Sequence, residues 1–129
     1  MMKSIPVWKQ ELSDGVHAAR LASLYCCTPA ETASEAARYA AVLDGLEKTF
    51  GSHAEAGLYS APGRTEIGGN HTDHQHGRVL AGSVNIDMIA AAAPNDKNQL
   101  RVQSEGYDLC VIDLNDLEAR KEEENTTAA

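Results

Sequence analysis

Residues 63–77, Gly-Arg-Thr-Glu-Ile-Gly-Gly-Asn-His-Thr-Asp-His-Gln-His-Gly, hold more polar chemistry than packing requires. Asn70, His71 and Asp73 place an amide, an imidazole and a carboxylate within four residues, so together they both donate and accept hydrogen bonds. A carboxylate can accept from two neighbouring hydroxyls while an imidazole serves a third. That set suits a small polyhydroxylated ligand such as a sugar. Pro62-Gly63 and Gly68-Gly69 are strong turn signals, because glycine admits backbone conformations and close approaches that a Cβ blocks. The expectation is a shaped loop over 63–77, between a strand end near Leu58-Tyr59-Ser60 and a long apolar strand from Val79.

Ala61-Pro62-Gly63-Arg64 followed by Gly69-Asn70-His71-Thr72-Asp73 resembles the N-terminal signature of galactokinases, in the GHMP group of small-molecule kinases, which runs roughly A-P-G-R-V-N-L-I-G-E-H-T-D-Y. Gly77-Arg78-Val79-Leu80 and Ser104-Glu105-Gly106-Tyr107 are similar to that family's text as well, so the resemblance covers residues 58 to 114. It implies that Arg64 lies near the transferring phosphoryl group and stabilises its charge. It further implies that Asn70, His71, Thr72 and Asp73 form the sugar-binding run, with His71 and Asp73 on the galactose hydroxyls. The chain departs from the pattern at Glu66, where the family has Asn, at Gly68, where it has an aliphatic, at Asn70, where it has Glu, and at His74, where it has Tyr. Asn70 exchanges a charged acceptor for a neutral group that donates and accepts, a change that bears on which sugar is preferred.

Plainer readings stand beside these. His71, Asp73, His74 and His76 are of metal-ligand type, but residues so close in sequence rarely converge on one ion without a further ligand, and no metal site is expected. His74 and His76 then read as loop residues. Arg64 as a partner of Glu66 or Asp73 in a surface ion pair is the plain alternative for that residue. Gly68-Gly69 as a hairpin turn is compatible with a site.

At 129 residues the chain is one domain's worth, with 43% hydrophobic and 23% charged residues as in ordinary globular proteins. A net charge of −8, from 19 acids against 11 bases, argues against a nucleic-acid backbone or an anionic membrane surface as partner. No apolar run approaches the roughly twenty residues of a membrane span, and Met1-Met2-Lys3 leads into no long apolar segment, so no secretory leader is expected. Cys26, Cys27 and Cys110 have no framework spacing and are expected as free thiols in a reducing cytoplasm.

Residues 1–56 read as a helical arm and 57–129 as a sheet carrying the sugar-binding loop. Residues 1–12 read as an arm packing through Trp8, and Ser13-Asp14 caps a helix from His17 to Tyr25 whose face is Leu21, Leu24 and Tyr25. Thr28-Pro29-Ala30-Glu31 is a capping box, and the helix it opens runs with apolar Ala37, Ala40, Ala41, Leu43, Leu46 and Phe50 to a C-cap at Gly51. The strand Gly57–Ala61 leads into the loop. From Val79 to Ala93, Val84, Ile86, Met88 and Ala90 alternate with Ser83, Asn85 and Asp87, and the apolar set is expected to face the core. Pro94-Asn95-Asp96 is expected to turn this strand into a hairpin with Leu100–Gln103, and a last strand covers Leu109–Leu114.

The expected fold class is α+β: N-terminal helices, then a mixed or antiparallel sheet of about four or five strands. The resemblance implies that this is an incomplete N-terminal part of a GHMP kinase domain, with a left-handed β-α-β crossover in the completed domain. It implies a parent that transfers the γ-phosphoryl group of ATP, as its magnesium complex, to the anomeric hydroxyl of galactose. The glycine- and serine-rich phosphate loop and catalytic aspartate of that family come later in its chain, so residues 1–129 alone are expected to be inactive. A sheet lacking strands would leave an edge that invites pairing with another copy. The alternatives are a kinase for another sugar, such as an amino sugar or arabinose, and a noncatalytic sugar-binding or sensor module.

Overall fold

The computed structural model describes residues 1–53, 55–69, 75–118 and 121. They form two compact units, Met1–Ala93 and Pro94–Ala129.

The first unit opens with a two-residue strand, β1 (Met2–Lys3), and a helix, α1 (Ile5–Ser13). Residues 1–12 are therefore not an arm. Ser4 stands at the N-cap and Pro6 in the first turn, where a missing N–H costs nothing, and Ile5 and Leu12 are buried. Trp8 joins this packing, its indole N–H donating to Ala56 O at 2.8 Å. Ser13 and Asp14 close α1 instead of opening the next helix: the Asp14 N–H bonds back to Gln10 O at 2.8 Å. The chain turns at Gly15, φ +70°, and α2 (Ala18–Tyr25) begins after His17. Leu21 and Tyr25 are buried, whereas Leu24 is 52% exposed and drops out of the expected face.

Thr28 and Glu31 form the expected capping box, the Glu31 carboxylate accepting from the Thr28 N–H at 2.9 Å and from its hydroxyl at 2.7 Å. The box opens a 3₁₀ turn, Pro29–Glu31, and α3 (Ala33–Phe50) follows from Thr32 and ends at Gly51, φ +83°. Tyr39, Leu43 and Leu46 are its buried residues, while Ala37 and Ala41 are exposed. These side chains meet Ile5, Leu12, Leu21, Tyr25 and Ala56 in one core.

Two long antiparallel strands, β2 (Ala56–Gly68) and β3 (Leu80–Ala92), complete the unit, with β1 on the start of β2, giving the order β1-β2-β3. The helices cover one face of this sheet, and Leu58, Ile89 and Ala91 pack against their core. In β3 the expected sidedness is reversed from Ile86 onward, where Asp87, Ile89 and Ala91 are half-buried and Ile86, Met88 and Ala90 exposed. Before it, Val84 is half-buried and Ser83 and Asn85 are exposed. Asp87 turns toward the helices and, with Asn85, bonds to Tyr25 among others, while Ile86 and Met88 are 76% and 77% exposed. Polar atoms can be buried there because helix side chains satisfy their hydrogen bonds.

The second unit contains β4 (Gln99–Val102) and β5 (Cys110–Asp113), an antiparallel pair in register Gln99↔Asp113 to Val102↔Cys110. β4 thus pairs with β5, and the hairpin expected between β3 and β4 is not formed. Local bonds favour this pairing: the Leu114 N–H donates to Asn98 O at 3.0 Å, and the Asn98 amide donates to Asn115 Oδ1 at 2.6 Å. At the other end the Gln103 amide donates to Ser104 O and Tyr107 O, at 2.9 and 2.6 Å. Helices with antiparallel sheets make the chain α+β, as expected, although the strands divide between a three-stranded and a two-stranded sheet. No helix among the described residues is long and apolar enough to cross a membrane, and the thiols of Cys26, Cys27 and Cys110 are free.

Candidate functional site

The polar stretch begins on a strand. β2 continues to Gly68, so Gly63–Gly68 are not loop, and Pro62-Gly63 marks a bulge instead of a turn. Pairing runs in one register from Gly57↔Ala92 to Pro62↔Asp87 and resumes at Arg64↔Ser83. Gly63 alone therefore opposes Val84, Asn85 and Ile86, so β3 carries the extra residues. Such irregularities bend a strand and add twist, and they accept Pro and Gly where a regular ladder does not. A Cβ on Gly63 would lie 3.1 Å from Val84 Cγ2 and 3.2 Å from Ile86 O, tighter than ordinary contact. A second shift, between Glu66 and Gly68, puts Ile67 opposite no residue of β3.

Arg64 follows the first bulge directly. It is exposed on β2 opposite Ser83, and among the described residues it forms no ion pair with Glu66 or any other acid. At the far end of β2, Gly69 adopts φ +87°, and a Cβ there would fall 2.3 Å from Arg78 O. The two strands approach at this point through a glycine no other residue can replace without movement. Asn70, His71, Thr72 and Asp73, the expected sugar-binding run, lie outside the described residues, as does His74 of the metal reading. His76 is described; it is exposed with φ +59°. Among the described residues no group of three or more His, Cys, Asp or Glu is gathered that could hold a metal ion.

One cluster escaped the reading of the sequence. The Asp87 side chain, 7% exposed, accepts from the Tyr25 hydroxyl at 2.5 Å and the Ser60 hydroxyl at 2.6 Å on one oxygen and from Arg38 Nη2 at 2.8 Å on the other. The Tyr39 hydroxyl stands 3.0 Å from that of Tyr25, Arg38 also binds Glu35 at 2.5 Å, and the guanidinium lies 5.9 Å from the Tyr25 ring centre. Burial alone would push the Asp87 carboxyl up, but the bonds from Ser60, Tyr25 and Arg38 outweigh it and hold the group at about 2, below its ordinary 3.8. Burial, with the bonds to Asp87 and Tyr39, raises the Tyr25 phenol. Asp87 is therefore an ionised, fully engaged anchor, tying α2, α3 and β2 to β3 at the foot of the bulge before Arg64.

The segment built this way matches known proteins. A family model described as the galactokinase galactose-binding signature matches residues 46–94, from the last turn of α3 through β2 and β3. The chain is 35% identical to a galactokinase of Ligilactobacillus salivarius strain UCC118 over 83 residues, 62% of this chain and 21% of that protein. Over 71 residues it is 34% identical to a galactokinase of Streptococcus suis strain 05ZYH33, covering 53% of this chain and 18% of that one. It is 33% identical over 66 residues to a galactokinase of Lacticaseibacillus casei, 51% and 17% of the respective chains. The chain thus spans about a fifth of the length of the curated relatives it matches. No solved structure matches it. Across residues 46–94, the β2–β3 hairpin and the polar stretch it carries, this chain bears the galactose-binding signature of the galactokinases.

Proposed function

We propose that the chain is the N-terminal, sugar-binding portion of a galactokinase whose full-length form phosphorylates galactose at the anomeric hydroxyl with ATP and magnesium. The observation that carries this reading is the coincidence of the galactose-binding signature with the β2–β3 hairpin. Asp73 and His71 accept from and donate to ring hydroxyls, Asn70 and Thr72 complete the contact, and Arg64 offsets charge on the transferring phosphoryl group. In the transfer, the anomeric oxygen bonds to the γ-phosphorus as the bond to the bridging β–γ oxygen breaks. The residues that seat the nucleotide, the metal and the hydroxyl's proton belong to the remainder of the parent. Residues 1–129 alone bind sugar without turning over ATP.

Titration of the 129-residue chain with galactose, followed by amide resonances, tests the binding reading. Resonances of residues 64–77 are expected to shift, and Asp73→Ala is expected to abolish the response; a wild-type chain whose resonances ignore galactose overturns it. Asn70, in place of the family's Glu, favours one alternative, a kinase for another sugar. A panel of galactose, galactosamine and arabinose decides this, and preference for galactose rejects the alternative.

A further inference from the structure

The Asp87 cluster has no part in the chemistry just described, yet it stands where the hairpin changes direction. Below the bulge, β2 and β3 are held against the helices through Leu58, Ile89 and Ala91. Above it, Arg64–Gly68 and Leu80–Ser83 are exposed or nearly so, and none of them belongs to the core. The orientation of this distal half is therefore set by the bulge that joins it to the anchored half.

The bulge is gripped from the helix side at two points. Asp87, its first paired residue on β3, takes bonds from Tyr25 and Arg38 of the helices and from Ser60 of β2. Asn85, within the bulge, donates to Tyr25 O at 3.5 Å. From β2, Gly63 leaves the space that Val84 Cγ2 and Ile86 O occupy. We infer that Asp87, held by Tyr25, Arg38 and Ser60, is a positioning residue for the sugar motif: it fixes the β3 bulge opposite Gly63 and with it the direction in which Arg64 and the following residues are presented. Tyr25 and Arg38 lie outside the matched segment, residues 46–94, so the helices preceding the signature take part in aligning it. The link to sugar rests on the galactokinase reading; the link from Asp87 to the distal hairpin does not.

The experiment compares amide spectra of the ligand-free 129-residue wild type and Asp87→Asn, which keeps the shape and removes the charge. Resonances of residues 64–68 and 80–83, which do not touch Asp87, are expected to move and their amides to exchange faster, while those of α1 are unchanged. Galactose affinity is expected to fall about tenfold, the order of coupling between two separated sites, because the sugar motif is then less well aligned. Shifts confined to Tyr25, Arg38, Ser60 and their neighbours overturn the inference, whatever the sugar response. Should Asp87→Asn fail to fold, Arg38→Gln withdraws one donor and leaves the other two, and its distal resonances decide in the same way. If wild type ignores galactose, the sugar reading fails while the distal resonances still judge Asp87.

Discussion

Adjacent glycines at the end of β2 should respond to the same substitution in opposite ways. Gly69 has φ +87° and approaches the backbone so closely that a Cβ would sit 2.3 Å from Arg78 O and 3.0 Å from Val79 Cα. Alanine in the left-handed region costs about 1–2 kcal/mol. Relieving an overlap of this depth against a carbonyl, where carbon and oxygen ordinarily meet at about 3.3 Å, costs about 1–3 kcal/mol more, as for other overpacked sites. Gly69→Ala should therefore lose about 3 kcal/mol. Gly68 has no atom within 4 Å of an added Cβ and no left-handed φ, so Gly68→Ala should be neutral or gain up to about 1 kcal/mol by restricting the unfolded chain. Urea unfolding, followed through the single tryptophan, Trp8, measures both. A galactose titration of each variant then asks whether the strand approach matters to binding, with loss expected for Gly69→Ala and retention for Gly68→Ala. Equal urea midpoints for the two variants would refute the close approach of Gly69 to Arg78 and the geometry argued from it.

Leu43 is fully buried at the centre of the helical core, and Leu43→Ala should cost about 2–5 kcal/mol in the same urea assay; a loss below 1 kcal/mol would contradict its placement. Trp8→Phe removes the donor to Ala56 O, whose residue is fully buried, and should cost about 1–3 kcal/mol by leaving that carbonyl unpaired, which a thermal melt followed by circular dichroism reads. Because the folded Asp87 carboxyl sits at about 2, below its ordinary 3.8, its stabilisation is complete above pH 4 and is lost as pH falls from about 4 toward 2. The wild-type urea midpoint should therefore drop over that window more steeply than the midpoint of Asp87→Asn, and parallel curves would remove Asp87 from the acid response.

Local signals made part of this legible, and long-range bonds decided the rest. Thr28-Pro29-Ala30-Glu31 and Gly51 bracket α3 by chemistry within a few residues. Ser4-Ile5-Pro6 carries an equally local signal for α1 that the polar neighbours of Trp8 obscured. Pro62-Gly63 resembles a turn because the same two residues also suit a bulge, and only the partner strand distinguishes the two. For β3 from Ile86 onward, period-2 alternation identifies which residues share a face but not which face the helices cover. Its sequence is polar on one side only from Ser83 to Asp87 and apolar on both from Met88 to Ala92, so hydrophobicity alone chooses weakly. Turning Ile86 and Met88 inward would match the pattern but would expose Ile89 and Ala91 and strip Asp87 of its donors. Those donors, Tyr25, Arg38 and Ser60, lie 62, 49 and 27 residues away along the chain. Three hydrogen bonds to one ionised carboxylate, each stronger than a neutral bond, select the face that hydrophobicity leaves nearly balanced, and they do so at the residue beside the bulge on which Arg64 depends.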